Sequence, residues 1–98
     1  MSKKYLGKRK MHEILSKFIL VNCKMKDCRY EQFQGDECLK FNYSIDQDKN
    51  KIFYESSLLV KNLSSGGHAF CMSNFIQTLD AHGNTHNRKE SKLFRLDF

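Results

Sequence analysis

The stretch LKFNYSIDQDKNKIFYESSLLV, residues 39–60, constrains the fold more than any other part of the chain. Leu39, Phe41, Tyr43 and Ile45 alternate with Lys40, Asn42 and Ser44, the period-two pattern of a strand with one buried face. Beyond the turn-rich DQDKN, Ile52, Tyr54, Leu58 and Val60 share a face, with Ser56 as its small member. Folding about that turn pairs Ile45 with Ile52, Tyr43 with Tyr54, Phe41 with Ser56 and Leu39 with Leu58. One register keeps all four pairs on one face, so the spacing predicts an antiparallel hairpin.

Helical periodicity flanks this hairpin. Between Lys10 and Cys23, the residues Met11, Ile14, Leu15, Phe18, Ile19 and Val21 fall within roughly 160° of a helical wheel, which predicts an amphipathic helix. The branched residues of KFILVNCK support a rival strand, and a helix that becomes extended after Phe18 reconciles the two. Residues 23–37 show no sustained period and read as a connection with one short element around Arg29 to Phe33. In residues 69–82, a strand would put Asn74 on the same side as Phe70 and Ile76. A helix instead gathers Ala69, Cys71, Met72, Phe75, Ile76 and Leu79 on one arc. The count predicts a second helix, starting near Ser64 or Ser65 and ending at Gly83, with His82 in its last turn. Asn84 to Glu90 then form a loop, and KLFRLDF alternates as a final strand.

The expected fold class is therefore α+β, in the order α-β-β-α-β, with a small antiparallel or mixed sheet carrying two helices on one face. A right-handed crossover would set the last strand parallel to the hairpin. In topology this resembles a split βαβ, ferredoxin-like sandwich without its first strand. That resemblance implies no function, because the architecture hosts many. Residues 1–8 read as a flexible basic leader and residues 9–98 as one globular domain.

A chain of 98 residues with 40% apolar composition has enough material for a single core. No apolar run approaches the ~20 residues that span a bilayer, and no secretory signal pattern is present, so a cytoplasmic protein without a membrane partner is expected. In that compartment Cys23, Cys28, Cys38 and Cys71 are reduced thiols. Charge is uneven: nine Lys/Arg against two acids in residues 1–29, four against seven in 30–80, and four against two in 81–98. Basic termini point to a polyanion, either nucleic acid or an acidic protein surface, engaged by Lys3, Lys4, Lys8, Arg9, Lys10, Lys24, Lys26, Arg29, Arg88 and Lys89. Lys92 and Arg95 extend the second cluster, and Tyr5 and Tyr30 lie among the basic residues where they could stack on bases. The alternative is a protein-interaction inhibitor or adaptor of the kind viruses and mobile elements encode, acting through an apolar patch or edge strand.

No catalytic motif stands out, and a non-enzymatic protein without a cofactor is expected. Gly66-Gly67 lacks the spaced glycines and the lysine of a phosphate loop. Cys28 sits between Lys26 and Arg29 but has no histidine placed beside it by sequence. No metal is expected; a zinc-stabilised module, the third reading, would use Cys23, Cys28, His82 and His86, with His68 and Cys71 as alternative ligands.

Overall fold

The computed structural model describes residues 5–63 and 66–96. α1 (Gly7–Leu15) and a 3-10 turn (Met25–Asp27) precede five strands: β1 (Arg29–Phe33), β2 (Asp36–Gln47), β3 (Asn50–Asn62), β4 (His68–Leu79) and β5 (Thr85–Leu96). The strands lie in sequence order and every neighbouring pair is antiparallel. This overturns the expected α+β arrangement. The second helix is a strand, the last strand involves no parallel crossover, and one helix, not two, packs on the sheet.

The central hairpin has the register its alternation predicts: Ile45 opposite Ile52, Tyr43 opposite Tyr54, Phe41 opposite Ser56 and Leu39 opposite Leu58. Asp48 supports the two-residue connection at φ 56°, a left-handed conformation that a short polar side chain tolerates. The short element expected near Arg29 is β1, joined to β2 through Gln34 and Gly35. Both of these residues have positive φ, the geometry whose twist matches a hairpin's strands.

β4 defeats the helical-wheel count for a physical reason. Phe70, Met72 and Ile76 point to the face that carries α1, while Cys71, Phe75 and Leu79 point to the other. Apolar residues on both faces hide the two-residue period. Asn74, which looked misplaced beside Phe70 and Ile76, does lie on the α1-bearing face. There Ser56, its cross-strand neighbour and fully buried, donates a 2.7 Å hydrogen bond to its Oδ1. A satisfied polar pair is tolerated on an otherwise apolar face.

The expected loop over residues 84–90 is the first half of β5, and KLFRL continues the same strand to Leu96. Apart from the half-buried Phe94 and Leu96 its side chains are exposed, because β5 is an edge strand, so most of the sequence lacks a buried face to alternate. Charge protects this edge from pairing with other chains: Arg88, Lys89, Glu90, Lys92 and Arg95 all lie on it. At the opposite edge β1 is only five residues long.

Gly83, at φ 82°, belongs to the β4–β5 turn and stops no helix. Asp80 organises that turn by accepting the backbone N–H groups of His82 and Asn84, both at 2.9 Å, and its carboxylate lies 3.4 Å from His86 Nε2. These partners, the Asn84 N–H first, hold the Asp80 carboxyl below its usual value of 3.8. A depressed folded-state pKa contributes stability that is present above the unfolded carboxyl pKa of about 3.9 and lost as pH falls through the folded value. The amide shifts of His82 and Asn84 should therefore titrate with a midpoint below 3.8. A midpoint at or above that value contradicts the capping role.

The core lies between the N-terminal layer, residues 5–28, and one half of the sheet. Met11, Ile14, Leu15, Cys23 and Cys28 meet Leu39, Phe41, Leu58, Val60, Phe70 and Met72. Helix α1 stops earlier than its apolar stripe because the chain tightens at Ser16. The Ser16 hydroxyl donates to the His12 carbonyl at 2.7 Å, and the Lys17 and Phe18 N–H groups bond back three residues. Phe18, Ile19 and Val21 then cross the sheet outside any helix, with the Phe18 ring 5.2 Å from Phe94 of β5.

The other end of α1 is fixed from a distance. Glu37, 1% exposed, accepts the Leu6 N–H at 3.0 Å, the Gly7 N–H at 2.9 Å and the Tyr30 hydroxyl at 2.7 Å. Leu6 has no side chain able to cap, so the β2 carboxylate does the work of an N-cap residue.

Candidate functional site

The N-terminal layer gathers the basic residues. Residues 5–28 hold six Lys/Arg against Glu13 and Asp27, whereas the rest of the described chain holds nine against eight. Lys8, Arg9 and Lys10 lie on α1, and Lys24 and Lys26 on and beside the 3-10 turn that packs against it. Arg9, Lys17, Lys24 and Lys26 are exposed. Lys10 also lies 3.6 Å from Glu13 across one helical turn. Two clusters separated in sequence are thus brought into one layer. The helix N-terminus itself is not open to an anion, because the Glu37 carboxylate already takes its leading N–H groups.

Of the remaining predicted contacts, Lys92 reaches the layer through Phe18, and the others lie elsewhere or outside the described residues. Arg29 points to the sheet face opposite the layer and is 3.6 Å from Glu31. Arg88 and Lys89 are successive residues of a strand, so their side chains leave opposite faces; Arg88 is 3.1 Å from Glu90. Arg88 pairs with Ile76 and Lys92 with Met72, about 14 Å further along the strand, where Lys92 Nζ sits 5.4 Å from the centre of the Phe18 ring. Lys3 and Lys4 lie outside the described residues. Tyr5 is exposed, while Tyr30 is packed against the core with its hydroxyl bonded to Glu37 and Gln32. Burial, then the Glu37 bond, raises its pKa.

Beneath the basic surface lie Cys23 and Cys28, both buried, with their sulfurs 3.2 Å apart. His12 faces them from α1. Its Nε2 lies 2.6 Å from the Cys23 carbonyl oxygen, which makes Nε2–H the donor. One ligating atom of each residue falls within 4.8 Å of the others. Burial, followed by the bond to Cys28, pushes the Cys23 thiol up to about 12.

His82 and His86 are not part of this group. His86 lies opposite Thr78, six residues along β4 from Met72 and about 20 Å from the level at which the layer packs. Nor is either alternative ligand: Cys71 points away from the layer, and His68 stands at the end of β4. Cys23 and Cys28 are legible in the sequence as a spaced pair, but His12 is not. Its signal is its place one turn before Ser16, on a helix whose apolar stripe must face the same core.

The face of the sheet opposite the layer is uncovered among the described residues. Cys38, Leu59, Cys71 and Leu93 form one row across β2 to β5, with Leu93 79% exposed. Further along, Phe53 and Phe75 stand on neighbouring strands beside a groove of about 420 Å³ lined also by Asn42, Ser44, Glu55 and Gln77. On the outward face of the β2–β3 hairpin alone Phe53 is the single aromatic, and reading β4 as a helix hides Phe75 beside it. No helix of the described residues is long and apolar enough to cross a membrane. No protein-family model, curated protein or solved structure matches the chain.

Proposed function

We propose that the protein is a non-enzymatic binding module whose N-terminal layer engages the phosphate backbone of a nucleic acid. The observation that carries this is the concentration of excess charge in residues 5–28, where α1 and the 3-10 turn hold Lys8, Arg9, Lys10, Lys24 and Lys26 together on one side of the sheet. A small area of several cations and few acids binds phosphates by releasing their counterions, independently of base sequence. With the helix N-terminus occupied by Glu37, lysine and arginine side chains make the contacts. The reading includes a cytosolic location, where Cys23 and Cys28 stay reduced.

The test is binding to DNA and RNA oligonucleotides across a salt series. Replacing Lys8, Arg9, Lys24 and Lys26 with glutamine should weaken low-salt affinity and reduce the slope of log K against log salt by about 2–4, close to one per lost phosphate contact. Replacing Lys89 and Arg95 should leave both nearly unchanged. No binding at low salt sinks the reading. Equal affinity for an acidic polypeptide of matched charge would make the partner a protein.

A second reading rests on the uncovered row Cys38–Leu59–Cys71–Leu93, which a protein partner would bury. It requires binding that persists at high salt and is lost in a Leu59→Lys, Leu93→Lys variant.

A further inference from the structure

The basic layer rests on a set of donors that its charge does not explain. Cys23 and Cys28 place two sulfurs 3.2 Å apart inside the core, and the imidazole of His12 closes the third side, all three ligand atoms falling within 4.8 Å. The donors come from three places in the layer: the middle of α1, the link after it, and the residue before β1. Two thiolates and one imidazole are ligand types that bind Zn²⁺, the sulfurs at about 2.3 Å and the nitrogen at about 2.0 Å. At those lengths tetrahedral sulfurs stand about 3.8 Å apart, so metal entry needs them to separate by little more than half an ångström.

We propose that His12, Cys23 and Cys28 form a zinc site that clamps the N-terminal layer together, its fourth position filled by water or an outside donor. The charge balance favours a divalent ion. Two thiolates cancel its charge, so a neutral unit replaces two thiols in a buried place, whereas a monovalent soft ion would leave one net negative charge uncompensated. On binding, the two thiol protons pass to solvent and two Zn–S bonds form. His12 exchanges its hydrogen bond to the Cys23 carbonyl for a Zn–N bond, its ring proton moving through solvent to the other nitrogen. No electron is transferred. The site ties together the segments that carry Lys8 to Lys10 and Lys24 to Lys26, yet it stands independently of nucleic-acid binding.

The full chain, reduced and stripped of metal, is titrated with Co²⁺ as a spectroscopic stand-in and then with Zn²⁺. The expected result is one equivalent of Co²⁺, with thiolate-to-cobalt charge-transfer absorption and the intense visible bands of tetrahedral coordination, displaced by one equivalent of Zn²⁺. Cys38→Ser and Cys71→Ser should leave the spectrum intact. His12→Gln, which removes a ligand outside the hydrophobic core, should keep the charge-transfer band and weaken affinity by more than about tenfold. Cys23→Ser should abolish tight binding. Absence of thiolate bands in the reduced protein overturns the proposal, as does binding that survives His12→Gln unchanged or depends on Cys38 or Cys71. Circular dichroism of each variant separates lost ligation from lost folding. If the cysteine variants do not fold, the His12→Gln affinity decides.

Discussion

Replacing Glu37 with glutamine is expected to destabilise the protein by about 3 kcal/mol and to lower Tm by more than about 10 °C. Hydrogen bonds to a charged group contribute about 1.5–3 kcal/mol each, and this carboxylate accepts three. Glutamine has the same shape but turns an NH2 group toward one of those donors. Leu6 N–H or its neighbours then remain buried without an acceptor. The loss should be local before it is global. Amides of α1 should exchange with solvent much faster in the variant, while those in the middle of β3 and β4 keep most of their protection. A Tm within about 2 °C of the parent would show that the N-terminus of α1 does not depend on this residue.

Phe70→Ala should cost about 3–5 kcal/mol, the range for deleting a buried aromatic. Phe70 is 2% exposed and its ring stacks on Phe94 at 5.0 Å with an interplanar angle of 4°. Phe94 in turn touches Phe18 at 5.2 Å. This run of three rings is how the edge strand β5 and the irregular segment after α1 reach the core, so truncating its buried end loosens both. Phe70→Leu keeps most of the apolar volume and should cost less than half as much. Urea denaturation with a common slope measures the difference. An alanine variant within 1 kcal/mol of the parent would mean that β5 is held by its backbone ladder alone.

What the sequence shows of this fold depends on how each strand is buried. β2 and the distal part of β3 have one wet face and one dry face, and their alternation yields the hairpin register pair by pair. β4 is apolar on both faces, with Ser56 and Asn74 forming a polar bond inside the core, so its period-two signal is cancelled and a helical arc appears by coincidence. β5 has almost no buried face, and a strand of exposed polar residues looks like a loop. The helix at residues 7–15 is legible from its stripe, but its N-terminus is not, because the group that fixes it lies about 30 residues away on β2. Distance in sequence also hides the metal-ligand set. Cys23 and Cys28 are conspicuous, whereas His12 joins them only because α1 folds back over the same core, and the regular spacing of His82 and His86 draws attention to the wrong pair.

The strictly sequential order of the sheet has a kinetic consequence. Every strand pairs only with its predecessor and successor, and the connections are short: two residues between β1 and β2, two between β2 and β3, and five each between β3 and β4 and between β4 and β5. Closing short loops costs little chain entropy, and local contacts favour fast folding, so the sheet can grow one hairpin at a time from the Asp48 turn outward. The N-terminal layer cannot take part in that growth. Its helix needs the carboxylate of Glu37 on β2 and its Phe18 ring needs Phe94 on β5, so the layer completes its docking only after β5 has joined the sheet.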